Sequence, residues 1–389
     1  MRLGYTTITP ATVHRLAFSV LESPLGFQTF KRSVTVGQLL DLILLIAATT
    51  RTLYAIARHY FDFSHQTARE ALEYNLSTHE VLTGQLADAL HAVAAFSRRD
   101  RRRQWTVAID THDTPYYGSR STPHIVGGQK KQGTKYFFRY ATAVLIHRRR
   151  RYTVGLLAVT TNLKPHEIVQ TLLEQVTSRG LILGGVVLDS GFDSGETILG
   201  LQQRKVSYTV PLRRKGNKAN RRNDCFTKPS GTLATVEWVT EESRRAVSTR
   251  VLVWRRQGQL KTKVFAFAGW GDERAVSEAK RAWLGRRRYR ERFGIETSYR
   301  QKNQGRGWTT SKNVAYRLLL EGLALLLRQV WVNLTQHIAQ ARGLKPNDWV
   351  DELPMVEMLL WLADHLRAKY LHEQRIDLTL PILTDTATP

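Results

Sequence analysis

The hydrophobic period of the chain changes at Gln104, and a chain that changes period must change architecture at the same place. Upstream, Leu39, Leu40, Ile43, Leu44 and Ala47 keep the i, i+3, i+4 spacing of a helix with one apolar face. Downstream, residues 105–110 form a short apolar run ending on an acid, and 135–147 with 151–160 read as two long strands joined by an arginine run. Residues 165–179 then read as a helix, 185–189 as a buried strand, 195–204 as a helix and 206–212 as a strand. Three strands, helix, strand, helix, strand is the order of a mixed sheet covered by helices, so the class is α/β behind a helical front. The pairs Gly127-Gly128 and Gly184-Gly185 read as turns.

Past this unit the character changes again. Residues 213–230 are rich in Lys, Arg, Asn and Gly without hydrophobic period, while 234–240, 248–255 and 260–269 alternate like antiparallel strands. A helical period resumes over 275–304, and two apolar helices follow at 314–341 and 354–370. The expected organisation is a helical region over 1–103, a core over 104–212 plus 272–310, a β-rich insertion over 213–271 and a helical end over 311–389. Inside the first region, two short helices around Phe61-Asp62-Phe63, the second capped by Ser64, fit a helix-turn-helix and an ordinary helix pair equally well.

Charge narrows the partners. The 389 residues carry 58 Lys and Arg against 33 Asp and Glu, a formal net charge of +25. Such a surface attracts polyanions, which makes nucleic acid the expected partner. The excess gathers in 98–103, in the loop holding Arg213, Arg214, Lys215, Lys218, Arg221 and Arg222, and in 281–306. Because the cations are scattered over strands, loops and helices, a membrane-surface role is disfavoured. A single cysteine, Cys225, excludes an intramolecular disulfide and any Cys-x-x-Cys zinc site. No secretory signal is legible, so the expected location is the cytoplasm.

Three acids stand where chemistry is expected. Asp110 and Asp189 each follow an apolar strand, which puts them at the carboxyl edge of the sheet, where open α/β sheets bind ligands. Asp113 and Asp193 are their rivals three and four residues on. On a helix, Tyr289, Arg292, Glu296, Tyr299 and Arg300 share one face and set a carboxylate among cations. Carboxylates brought together in this way can hold two divalent ions ~3.5–4 Å apart, the arrangement that phosphodiester chemistry uses. His112 reads as a loop histidine, and Trp238, Trp254 and Trp270 as buried aromatics or base-stacking groups.

Tyr289-x-x-Arg292-x-x-x-Glu296 resembles the Y-R-E-K signature of DDE transposases of bacterial and archaeal insertion sequences, in the insertion-sequence-four-like group. Ile109-Asp110-Thr111 and Leu188-Asp189-Ser190-Gly191-Phe192 are similar to that family's other two motifs. The resemblance implies an RNase H-like (retroviral integrase-like) core with a mixed five-stranded sheet, interrupted before the last catalytic helix by the β-rich insertion. It implies Mg2+, with Mn2+ as substitute, as two ions on Asp110, Asp189 and Glu296, and cleavage of transposon ends followed by strand transfer into target DNA. The implied partners are double-stranded DNA, at terminal inverted repeats and target, and further copies of the chain in a synaptic complex. Tyr289, Arg292, Arg300, Lys302, Arg213, Arg214 and Lys215 are the implied DNA contacts. One position departs from the signature: Asn303 stands where the family has lysine, and Lys302 is one residue early. A structure-selective nuclease on the same fold, and a transposase-derived protein that only binds DNA, remain the alternatives.

Overall fold

The structure is a computed structural model that describes residues 7–94, 96–147, 150–214, 223–256, 263–268, 287, 289–290, 292, 294–344 and 350–370. Arg148, Arg149, Lys215, Lys218, Arg221, Arg222, Trp270, residues 281–286 and the tail beyond 370 lie outside the described residues.

The amino-terminal part is helical: α1 (Pro10–Leu25), α2 (Val36–Thr49), α3 (Leu53–Tyr60), α4 (His65–Asn75) and α5 (His79–Ala94). Thr9, Thr35, Thr52 and Ser64 cap the first four, each side chain accepting from a backbone N–H three residues on. The arginine stretch expected as a linker contains one capped turn, α6 (Arg98–Arg101), closed reciprocally by Ser97 and Asp100. Helix α2 is buried over most of its length, including Asp41. That carboxylate lies 2.6 Å from His14 Nε2 and accepts from Lys369 Nζ at 2.6 Å and Tyr370 OH at 2.7 Å. Burial pushes its pKa up, but these partners outweigh burial and hold it below the usual carboxylate range.

The sheet is built from β1 (Gln104–Tyr116), β2 (Val126–Lys131), β3 (Thr134–His147), β4 (Arg150–Val159), β5 (Ile182–Val187) and β6 (Tyr208–Pro211), with α7 (Pro165–Thr177) and α8 (Gly195–Gln203) between strands. It continues into β7 (Leu233–Val239), β8 (Ala246–Arg256) and β9 (Lys263–Ala268). Among the described residues the order is β2-β3-β1-β5-β6-β9-β8-β7, with β4 also on β3. Only β1-β5 and β5-β6 are parallel.

Two expectations change here. Among the described residues the sheet has nine strands and not five, because the strands of the insertion join it: Val210 and Pro211 of β6 pair with Ala268 and Phe267 of β9. A strand with a free edge was covered by the next one available. The two glycine pairs are not turns but lie inside β2 and β5. At Gly184 a Cβ would stand 2.8 Å from Gln104 Cβ, where the β1-β5 register slips at Trp105/Thr106, so the close approach of two backbones requires the missing side chain.

After the insertion come α9 (Gly294–Lys302), a 3-10 turn over Asn303–Gly305, α10 (Val314–Ala341) and α11 (Met355–Tyr370). The two helical ends, separate in the sequence, share one core: α10 packs on α5, and α11 on α1 and α2. Helix α10 is long and apolar enough to cross a bilayer, yet its most apolar window is 89% buried inside the protein. Its polar side chains Arg317, Glu321 and Arg328 are buried as well and lie at spacings of four and seven, on one face.

Candidate active site

Strand β1 is longer than its apolar run, so Asp110 does not end it. Its antiparallel partner β3 follows it to Tyr116, while the parallel partner β5 is last paired at Ala108↔Val187. From Asp110 onward β1 has, among the described residues, a strand neighbour on one side only, and a groove of about 840 Å³ runs past Asp110 and Asp189, with Phe137, Arg139, Ile168 and Arg213 in its walls. Asp189 follows β5 after Leu188 and stands just before a 3-10 turn over Ser190–Phe192. Glu296 lies on α9, whose inner face packs Ile295 on Ala108, Val144 and Val187.

These three elements bring the three expected acids around one cation. Arg292 Nη1 donates to Asp110 Oδ2 at 3.1 Å; Nη2 stands 3.6 Å from Asp189 Oδ1 and 4.0 Å from Glu296 Oε1. Side-chain exposure rises across the set, from 12% at Asp110 to 36% at Asp189 and 52% at Glu296. Burial pushes the Asp110 carboxyl up to about 6; Arg292 opposes that, and the charges of Asp189 and Glu296 add to it. Burial alone would lower Arg292, but Asp110 and Asp189 beside it hold it above its ordinary value. Tyr289 stacks under the guanidinium, 5.5 Å from its ring centre, and packs on Phe267 of β9 at 5.1 Å. The insertion thus buttresses the arginine that faces the acids.

The rival aspartates have other employment. Arg139 holds Asp113 in a bidentate pair at 2.6 and 3.1 Å, within β1. Asp193 is buried and accepts from Trp238 Nε1 at 3.0 Å and from the Arg213 backbone at 2.8 Å. Trp238 is accordingly a buried aromatic, not an open stacking platform.

Among the expected DNA contacts, Arg300 is exposed beside Glu296. Arg213 lines the groove, its Nε donating to Ser190 Oγ at 3.2 Å. Arg214 lies over the Phe226 ring at 4.9 Å, and Lys215 is outside the described residues. Lys302 is a correction. It is 1% exposed and ion-paired to Glu321, with His112 Nε2 at 2.9 Å, so its ammonium faces the interior and not phosphate. The reason is periodicity: Ile295, Ser298 and Lys302 form the buried i, i+3, i+7 stripe of α9. Asn303 begins the 3-10 turn, so extrapolating the helix face to that position fails.

His112, expected in a loop, is a half-buried strand residue, and Glu321 was missed altogether. The signal for Glu321 was available: an acid flanked by Arg317 and Arg328 on one face of an otherwise apolar helix needs buried partners.

Among the described residues, no three His, Cys, Asp or Glu side chains are grouped to hold a metal as they stand, since a guanidinium separates the acids. The donor set nevertheless suits a hard divalent ion: three carboxylates face a single positive charge, leaving uncompensated oxygen ligands.

The comparisons with known proteins bear on the fold and the family. The chain is similar to a piggyBac transposase solved as a synaptic complex with hairpin DNA, with a TM-score of 0.58 and 11% identity over 95% of this chain and 82% of that one. At that identity the likeness is one of fold. No curated protein matches the sequence. The model of the transposase DDE domain matches residues 101–312, more than half of the chain and all of the site just described. By that match and the convergence of Asp110, Asp189 and Glu296 on Arg292, the chain belongs to the DDE transposase family.

Proposed function

We propose that the protein cleaves phosphodiester bonds at the ends of a transposable element and joins the freed 3′ ends to target DNA, as a member of the insertion-sequence-four-like group. The observation that carries this is the meeting of three carboxylates from three separate elements at one guanidinium, on the rim of a groove with basic residues along it. Asp110, Asp189 and Glu296 would hold Mg2+ or Mn2+, as two ions. Bound there, such ions activate the attacking oxygen and stabilise the leaving one.

The chain's own residues supply the rest. Arg292, raised in pKa by the acids beside it, stays cationic and can bind a non-bridging phosphate oxygen near the scissile bond. Tyr289 orients Arg292, and Arg213, Arg214, Lys215 and Arg300 lead the DNA backbone to the groove. Residues 1–103 would bind the terminal inverted repeats through α3 and α4, used as a helix-turn-helix. The core over 104–212 and 272–310, the insertion over 213–271 and the helical end over 311–389 complete the organisation. Further copies of the chain would pair the two ends in a synapse, on DNA in the cytoplasm.

The test uses end-bearing duplexes with Mg2+ or Mn2+. Asp110→Asn and Glu296→Gln should retain end binding while cleavage falls by about 10³-fold or more, the order seen when a charge-stabilising group is removed from an active site. Retained metal-dependent cleavage by either variant would sink the assignment. Cleavage without strand joining by the unaltered protein would point to a nuclease instead.

A further inference from the structure

We propose that Glu321 is a positioning residue for the carboxylate site: it fixes how α9, and with it Glu296, sits against the strand that carries Asp110. This rests on the function proposed above.

Glu321 Oε1 is the meeting point of three elements. Lys302 Nζ donates to it from the end of α9, six residues past Glu296, and His112 Nε2 lies 2.7 Å away on β1, two residues past Asp110. Residues two apart on a strand share a face, so His112 and Asp110 move together. The Tyr299 ring fills the space between, 4.4 Å from the His112 ring, and its hydroxyl donates to the Asp110 carbonyl at 3.2 Å. Elsewhere on the inner face of α9, Ile295 packs on aliphatic side chains, a contact without direction, and the Tyr299 hydroxyl, which also pairs with Thr142 Oγ1 at 2.7 Å, pins the middle of the helix but leaves its carboxyl end to Lys302. Charged hydrogen bonds are directional, and a single oxygen holding both α9 and β1 fixes helix to strand. Arg328, on the same face of α10, adds a second tether by donating to Gln301 at 3.1 Å.

The cluster is also poorly built for stability alone. Among the described residues, Glu321 Oε2 and His112 Nδ1 are buried with no hydrogen-bond partner. A sealed ion pair of this kind is often no more stable than apolar side chains of the same volume. Geometry is the feature it supplies that a hydrophobic replacement would not.

The experiment follows from that contrast. The full-length Lys302→Met/Glu321→Met protein is compared with the unaltered chain and with Glu296→Gln for melting temperature without metal, end-DNA binding, and the Mn2+ midpoint of the rise in melting temperature. Melting without metal should stay within about 5 °C, and DNA binding should be unchanged. The Mn2+ midpoint should rise by about 10–100-fold, the usual effect of losing a group that orients metal ligands, with a parallel fall in cleavage. Lys302→Arg, which keeps the ion pair, should restore much of both. A folded double variant with an unmoved Mn2+ midpoint would overturn the positioning role. Should the double variant not fold, Glu321→Gln, which keeps the shape and one acceptor, is judged by the same midpoint. If Glu296→Gln itself leaves the midpoint unmoved, the carboxylate site fails and not merely its positioning.

Discussion

Strand β1 and helix α9 carry two charged clusters between them, one at each end of their contact, and the two are opposites. At the open end, three acids face one arginine and are progressively exposed, so the charges are unbalanced and water reaches them. At the inner end, Lys302 and Glu321 are each 1% exposed and meet His112, 12% exposed at the wall of the groove, in a nearly balanced group. Both consist of ionisable side chains on the same two elements, yet only the first is suited to bind what arrives from solution. Uncompensated charge at a groove marks a site, whereas compensated charge in the core marks a joint.

The largest effects that should separate the two are on stability. Removing one partner from the inner cluster leaves the other buried without it, and burial already pushes the Lys302 pKa well below its ordinary value, so Glu321→Ala should destabilise the metal-free protein by about 3–5 kcal/mol. Glu296→Ala, at a half-exposed position whose nearest cation is 4.0 Å away, should cost under about 1 kcal/mol. Urea unfolding of the two variants measures this difference, and similar costs would erase the distinction between joint and site.

Much of the open cluster was legible in the sequence, and little of the inner one. Asp110, Asp189 and Glu296 are announced by local pattern: an apolar run before each aspartate and one helical face around the glutamate. Local pattern also gave the order of strands and helices in the core. What it could not give is pairing across distance. The joining of β9 to β6 depends on which edge is free once the chain has folded. The fate of Lys302 depends on partners 19 and 190 residues away. Strand β2 escaped because its glycines resemble a turn until β3 supplies a ladder.

A middle-sized effect probes the open cluster through pH. The Asp110 carboxyl has a pKa of about 6 in the folded protein, against 3.8 unfolded. The folded state therefore keeps this proton longer, and stability falls as pH rises from about 4 to 6, with the full penalty above 6. At 1.36 kcal/mol per unit the penalty is at most about 3 kcal/mol. In metal-free protein, Asp110→Asn should raise the melting temperature near neutral pH, and that gain should fade toward pH 4. A gain independent of pH would mean that the burial of Asp110 is not what strains the site.

The smallest effect tests whether the open end extends along the groove. Arg213 lines it and its guanidinium donates to Ser190 Oγ, a neutral partner, so its charge remains available to a phosphate. Arg204, by contrast, is already paired with Glu174 at 2.9 Å. If the groove carries DNA to the acids, Arg213→Ala should weaken binding similarly for all sequences and reduce the slope of log K against log salt by about 1. Arg204→Ala should leave that slope unchanged, because a charge compensated within the protein releases no counterion when DNA binds. Equal slopes for both variants would confine the open cluster to the three acids and Arg292, and would place the path of the DNA elsewhere on this basic surface.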